Sequence, residues 1–160
     1  MQSLNVGQIR LEPYDRTYLD LSWDWLRDPE IKALTLTPDF TREQQLAFFA
    51  SLPERADYKV WGVASDEGEK IGAAGIKHID GPNGEFWCYI GERAWWGRGI
   101  GGRILELCED QARELGVERL VMIAAADNVR SVRAFEKMGF VLDDVVPGEG
   151  LVQLSKAVAA

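Results

Sequence analysis

Cysteine, histidine and positive charge are all scarce in this chain. Its 160 residues include two cysteines, Cys88 and Cys108, and a single histidine, His78. Two thiols cannot make a disulfide framework, and their spacing does not suit a zinc motif. A histidine-based metal site or a Ser-His-Asp triad would have to be built around His78 alone, so no metal is expected. Lys and Arg number 18 against 26 Asp and Glu, a net charge of −8. A nucleic-acid backbone requires a basic face, so that partner is not expected, and an anionic membrane surface is equally disfavoured. The longest apolar run, Leu120 to Ala126, is too short to cross a bilayer. The opening MQSLNVGQIR lacks the basic and then apolar regions of a secretory signal, so the expected location is the cytoplasm. No repeat, low-complexity tract or Pro/Gly/Ser linker divides the sequence. One domain over residues 1–160 is expected.

Hydrophobic residues make up 46% of the chain, enough for a sizeable core. Residues 8–14 alternate as a strand does, and 17–27 read as a helix that Asp28-Pro29 interrupts. A short helix follows over Glu30–Leu34. Thr41 with Gln44 has the spacing of a capping box ahead of a further helix, which Pro53 ends. Residues 58–65, 70–80 and 85–91 read as a meander of strands separated by DEGE and GPNG turns. A helix at 101–115 carries Ile104, Leu105, Cys108, Ala112 and Leu115 on one stripe and Arg103, Glu106, Glu109, Asp110, Arg113 and Glu114 on its other face, with Gly116 as its stop. Leu120–Ala126 has the look of a strand buried on both faces. A helix from Asn128 to Met138 and strands at 140–146 and 151–158 complete the pattern. The order reads β-α-α-β-β-β-α-β-α-β-β, which predicts a mixed sheet in an α/β (α+β) domain.

The informative stretch is Trp95-Trp96-Gly97-Arg98-Gly99-Ile100-Gly101-Gly102, between a strand and the amphipathic helix. Glycines let a ligand approach the backbone, and the free N–H groups of a helix's first turn attract anions. With Arg98, this is a local anion site on an acidic protein, and diphosphate is its natural occupant. It lacks the Gly-Lys-Ser/Thr of a Walker loop and is not read as a dinucleotide fingerprint. Downstream, Asn128 is placed as an N-cap, and Asn128-Val-Arg-Ser131 leads into Phe135-Glu-Lys137-Met-Gly139-Phe140.

Together these two segments resemble the GNAT superfamily of acetyl-CoA-dependent N-acetyltransferases. Trp96, Gly99 and Gly101 fall in the slots of its Q/R-x-x-G-x-G/A loop, with Trp in place of Gln/Arg. The W-G-R-G form is similar to the branch of ribosomal-protein alanine acetyltransferases and to flagellin-sugar acetyltransferases. Asn128 through Phe140 match the later N-x-x-[SA]-x-x-x-[YF]-x-K-x-G-F motif. The resemblance implies a mixed sheet of about seven strands flanked by about four helices, with strands 4 and 5 splayed for acetyl-CoA. It implies that the backbone of Tyr89, Ile90 and Gly91 bonds the pantetheine arm. The loop from Gly97 through Arg98, Gly99, Ile100, Gly101 and Gly102 would cradle the pyrophosphate. Asn128 would contact the arm, with Ser131 close by, and a backbone N–H around Gly91 would receive the developing oxyanion.

Acetyl transfer needs a proton acceptor for the amine, an oxyanion donor and a leaving thiolate. Where many relatives carry a thiol-protonating Tyr, this chain has Phe135, which has no proton to give. Glu85 stands where some lysine-acetylating relatives place their base, and His78 is the other candidate proton acceptor. A base on the fifth strand would fall at Ile123, which cannot serve. Of six tryptophans and their neighbours, Trp23, Trp87 and Phe40 are the candidates to line an acceptor pocket; the rest read as packing. The expected acceptor is a small-molecule primary amine, with an amino sugar, free or nucleotide-linked, as first choice. The alternatives are a protein N-terminus or lysine, favouring a long open groove, and a non-catalytic coenzyme A-binding module. The exposed edge of the last strands offers pairing to a second copy as a homodimer. The surplus acid either lines the acceptor cleft or only solvates the surface.

Overall fold

A computed structural model describes residues 9–158. Strand β1 (Ile9–Pro13) leads into helices α1 (Arg16–Trp25), α2 (Pro29–Leu34) and α3 (Arg42–Ser51). The meander follows as β2 (Lys59–Ser65), β3 (Lys70–Asp80) and β4 (Asn83–Ile90). After it come α4 (Ile100–Leu115), β5 (Arg119–Ala125), α5 (Val129–Lys137), β6 (Val141–Leu142) and β7 (Leu151–Ala157). The seven strands form one sheet in the order β1-β2-β3-β4-β5-β7-β6. Three helices precede β2, one for each helical segment read from the sequence although the expected order counts two, and Asp28 and Thr41 each start a helix with a side-chain cap. Thr41 and Gln44 make the anticipated capping box in both directions.

Each face of the sheet is covered by its own helices. On one face Ile104, Leu105, Cys108 and Ala112 of α4 pack with Phe86 and Leu120, and α5 adds Val132, Phe135 and Met138. On the other, Tyr18, Trp25 and Ile31 from α1 and α2 lie against Ala73 and Tyr89. Three expectations need correction. Leu115 is exposed at the end of α4, while Glu109, expected on the outer face, is buried and held by Lys156 at 2.7 Å. The strand expected over 140–146 shrinks to Val141–Leu142, because Asp143 turns its carboxylate back onto Gln153 and Ser155. Strand β5 is not buried on both faces. Leu120, Met122 and Ala124 are buried, whereas Val121, Ile123 and Ala125 are half-buried on a face that no helix covers at that point.

The feature that positions the site is the junction of β4 and β5. They are the sheet's parallel neighbours, and they pair only through Asn83–Arg119, Gly84–Leu120 and Glu85–Val121. Beyond Glu85 they part, while β4 continues its register with β3 to Ile90. A strand that keeps one partner and loses the other presents a row of unpaired backbone groups.

Candidate active site

The unpaired edge of β4 can be read from its hydrogen bonds. The Gly91 N–H donates to Ile71 O at 2.7 Å, and Tyr89 stands opposite Ala73. By strand alternation, the odd-numbered amides of β4 face β3, and those of Cys88 and Ile90 face the opening. The Gly91 amide is therefore already committed to β3, as is that of Tyr89. The Ile90 carbonyl is also occupied, by the Trp96 indole N–H at 2.8 Å. The Trp standing in the Gln/Arg slot thus ties the glycine loop to the open edge.

The loop itself suits an anion. Gly97 and Gly99 have φ of +76° and +72°, in the left-handed region that L side chains avoid. A Cβ built at Gly97, Gly99 or Gly102 would meet nothing within 4 Å, so the space over these residues is open. The first turn of the 16-residue α4 starts here. Its unpaired N–H groups and the helix dipole favour negative charge. The Arg98 guanidinium lies over the Trp95 ring at 4.8 Å, which holds its charge beside the loop. A diphosphate fits this cradle, and a pantetheine arm fits the unpaired edge of β4 leading from it. Gly97, Gly99 and Gly102 do stand at the G-x-G-x-x-G spacing of dinucleotide loops, contrary to the reading above. The parting of β4 and β5 is what distinguishes this site. On the α5 side, the Asn128 carbonyl oxygen caps the helix by accepting from the Ser131 N–H at 3.2 Å. Phe135 packs into the apolar cluster beneath, 6.5 Å from Phe140.

Strand alternation also places a second site on the opposite side of β4. Glu85, Trp87 and Tyr89 project toward α1–α3, away from Phe86, Cys88 and Ile90. There Trp87 and Tyr89 border a cavity of about 280 Å³. Trp87 and Tyr89 line one wall with Val60 and Lys77 from the neighbouring strands. Phe40, Phe48, Tyr58 and Gln45 come from the other side, and Tyr14, Ser22, Thr35 and Thr37 complete the lining. Phe40 and Trp87 are thus where they were expected. Trp23 is not in the lining; it stacks edge-on against Phe40 at 5.7 Å, with Arg42 over its ring. The lining includes no carboxylate, so the surplus acid lies elsewhere.

Both candidate proton acceptors meet beside Lys77, which lines the cavity. Glu85 forms an ion pair with Lys77 Nζ at 3.7 Å, and its other carboxylate oxygen lies 3.0 Å from His78 Nδ1. His78 sits in a β3 irregularity with φ of +52°, which turns a mostly exposed imidazole back toward β4. Lys77 lines the cavity, and the Glu85 charge reaches Tyr58, also in the lining. Burial pushes the Tyr58 hydroxyl up to about 12 and that of Tyr89 further still, so both stay protonated at neutral pH. Burial likewise pushes the Cys88 thiol up to about 12, which removes it as a nucleophile. Among the described residues, no group of three or more His, Cys, Asp or Glu side chains is arranged to hold a metal ion. No helix among them is long and apolar enough to cross a membrane.

Residues 8–141 match the family described as the acetyltransferase (GNAT) domain. The chain belongs to the GNAT acetyltransferase family. It is 28% identical over 96 residues to the uncharacterized N-acetyltransferase YdgE of Bacillus subtilis, covering 58% of this chain and 60% of that protein. A second relative, an uncharacterized protein of Methanocaldococcus jannaschii, is 24% identical over 98 residues, covering 61% of this chain and 20% of that one. Among solved structures, the spermidine N-acetyltransferase of Vibrio cholerae, in complex with CoA and spermine, superposes with a TM-score of 0.82 at 16% identity. That match covers 95% of this chain and 96% of the other. The N-acetyltransferase PseH of Campylobacter jejuni gives 0.70 at 18%, covering 95% and 99%. At such identities these structures establish the fold alone and leave the acceptor of this GNAT domain to its own residues.

Proposed function

We propose that this domain transfers an acetyl group from acetyl-CoA to the primary amine of a small molecule, with an amino sugar as the preferred class. The observation that carries this reading is the division of β4: its open edge faces the loop, and its Trp87 and Tyr89 side chains wall an aromatic-lined cavity. Acetyl-CoA, when bound, supplies the thioester that the amine attacks, and coenzyme A leaves as the thiolate. Amides from Gly97 to Gly102 and Arg98 hold its diphosphate, with Asn128 and Ser131 beside the arm. Tyr89 and Gly91 brace β4 against β3, and Ile90 presents its N–H to the opening as the donor for developing negative charge.

Glu85 takes the proton of the incoming amine, and the neighbouring His78 passes it to solvent. Phe135 gives no proton, so the departing thiolate is protonated by water. A cavity of about 280 Å³ suits a sugar-sized body, and a nucleotide attached to it would lie outside. A cytoplasmic location and a homodimer through the last strands belong to the same reading.

Thiol release measured across amino sugars, polyamines, antibiotics and peptides tests the proposal. Turnover with amino sugars supports it, and turnover with peptides alone sinks it. Binding of acetyl-CoA without thiol release on any amine identifies a non-catalytic module.

A further inference from the structure

Ser22 is 1% exposed, and its hydroxyl accepts two hydrogen bonds, from Tyr14 at 2.7 Å and from Tyr89 at 2.9 Å. All three residues line the cavity. A phenol has one proton and a lone-pair side. Once Tyr14 and Tyr89 have spent their protons on Ser22, each offers the cavity an acceptor only. A serine has one O–H, so it can reverse at most one of these bonds; at least one phenol is always turned this way.

The charge of the lining points in a consistent direction. It contains no carboxylate, and its one charged group is the cation Lys77. The neighbouring Glu85 is already paired with Lys77 and His78, so a second or third ammonium entering such a space would lose its water without gaining a free counter-ion. A hydroxylated body loses nothing comparable, because its O–H groups can donate to the phenols.

We propose that Ser22 is a positioning residue that fixes the hydrogen-bond polarity of the pocket. Through Tyr14 and Tyr89 it selects a single-amine acceptor with a hydroxyl-bearing, otherwise uncharged body, and it excludes polyamines. The proposal rests on the acetyltransferase reading above and narrows its acceptor. It also separates this chain from the spermidine enzyme whose fold it shares.

The test uses the full chain, acetyl-CoA and three probes: glucosamine, cyclohexylamine as its hydroxyl-free counterpart, and spermidine. Wild type is expected to favour glucosamine over both others in kcat/KM by at least tenfold. In Ser22→Ala the freed phenols can point their protons inward. The glucosamine KM should rise about tenfold while kcat falls less than threefold, and the preference over cyclohexylamine should collapse. Tyr14→Phe, which keeps the ring, should reproduce part of this loss. The double variant should be no worse than Ser22→Ala, because both changes break one unit. A merely structural role for Ser22 would lower kcat for every amine alike and leave the preference intact, which overturns the proposal. Spermidine as the best substrate overturns it too, with the acetyltransferase reading intact. Coenzyme A binding without turnover of either monoamine refutes the acceptor class but not the cofactor site. Failure of coenzyme A to bind by calorimetry refutes both.

Discussion

Gly102→Ala should make the domain more stable and a poorer binder of coenzyme A. Gly102 lies in the first turn of α4, outside the left-handed region, and a Cβ there meets nothing within 4 Å. Alanine in a helix is favoured over glycine by about 0.5–1 kcal/mol. At roughly 2–4 °C per kcal/mol for a domain of this size, the unliganded Tm should rise by about 1–4 °C. The new methyl, however, stands in the open space assigned to the diphosphate. Losing one charge-assisted hydrogen bond from the loop costs about 1.5–3 kcal/mol. That corresponds to a coenzyme A Kd weaker by about 10- to 150-fold. Thermal unfolding without ligand reads the first effect, and titration calorimetry reads the second. Pantetheine, which carries no diphosphate, should bind variant and wild type alike. A raised Tm with an unchanged coenzyme A Kd would refute the placement of the diphosphate over α4. A lowered Tm would refute the account of the helix terminus.

Other outcomes follow from the same geometry. Glu85→Gln should lower kcat/KM for the amine by about 10²–10⁴-fold with the coenzyme A Kd unchanged; full activity would move the proton to His78 or to water. Gly91→Ala would place a Cβ 2.2 Å from the Trp25 ring, whose indole donates to Glu92 at 2.8 Å. Such overpacking should cost about 1–3 kcal/mol in urea unfolding, and an unshifted midpoint would contradict the close approach. The Tyr18 hydroxyl at 2.5 Å, with Arg10 and Lys70, holds the Glu12 carboxyl below its ordinary 4.5. A depressed carboxylate contributes stability above its unfolded pKa and loses it as pH falls through the folded value. The Tm difference between wild type and Glu12→Gln should therefore be full at neutral pH and close below about pH 4; a gap independent of pH would refute this linkage.

The cofactor side was legible in the sequence because its signals are local. A helix start is written in consecutive residues, so Gly97–Gly102 and the Asn128 cap could be placed without knowing the tertiary structure. Glu85 and His78 were separate candidates; only the β3 register and the left-handed backbone at His78 bring them together. The acceptor cavity was least legible. Phe40 and Trp87 stood out as aromatics, but Tyr14, Gln45, Phe48 and Lys77 meet only because three helices fold over the meander. Ser22 carried no signal at all: a serine within a helix reads as neutral, and its partners lie on β4 and before α1. The half-covered face of β5 was missed for a related reason. An apolar run of β-branched and small residues looks the same whether one face is covered or two.

In the proposed acetyltransferase, strand β4 divides its recognition between two kinds of atoms. Toward the cofactor it would offer main chain, which every residue type supplies. Toward the acceptor it would offer the side chains of Glu85, Trp87 and Tyr89. Inheritance acts differently on the two halves. Replacement at position 87 can reshape what enters the cavity without rewriting the edge that meets the thioester. A new acceptor is then reached by point substitution, while insertion of a single residue would exchange the two edges and silence both. Lineages built on this strand should thus diverge freely in what they acetylate and hardly at all in strand length.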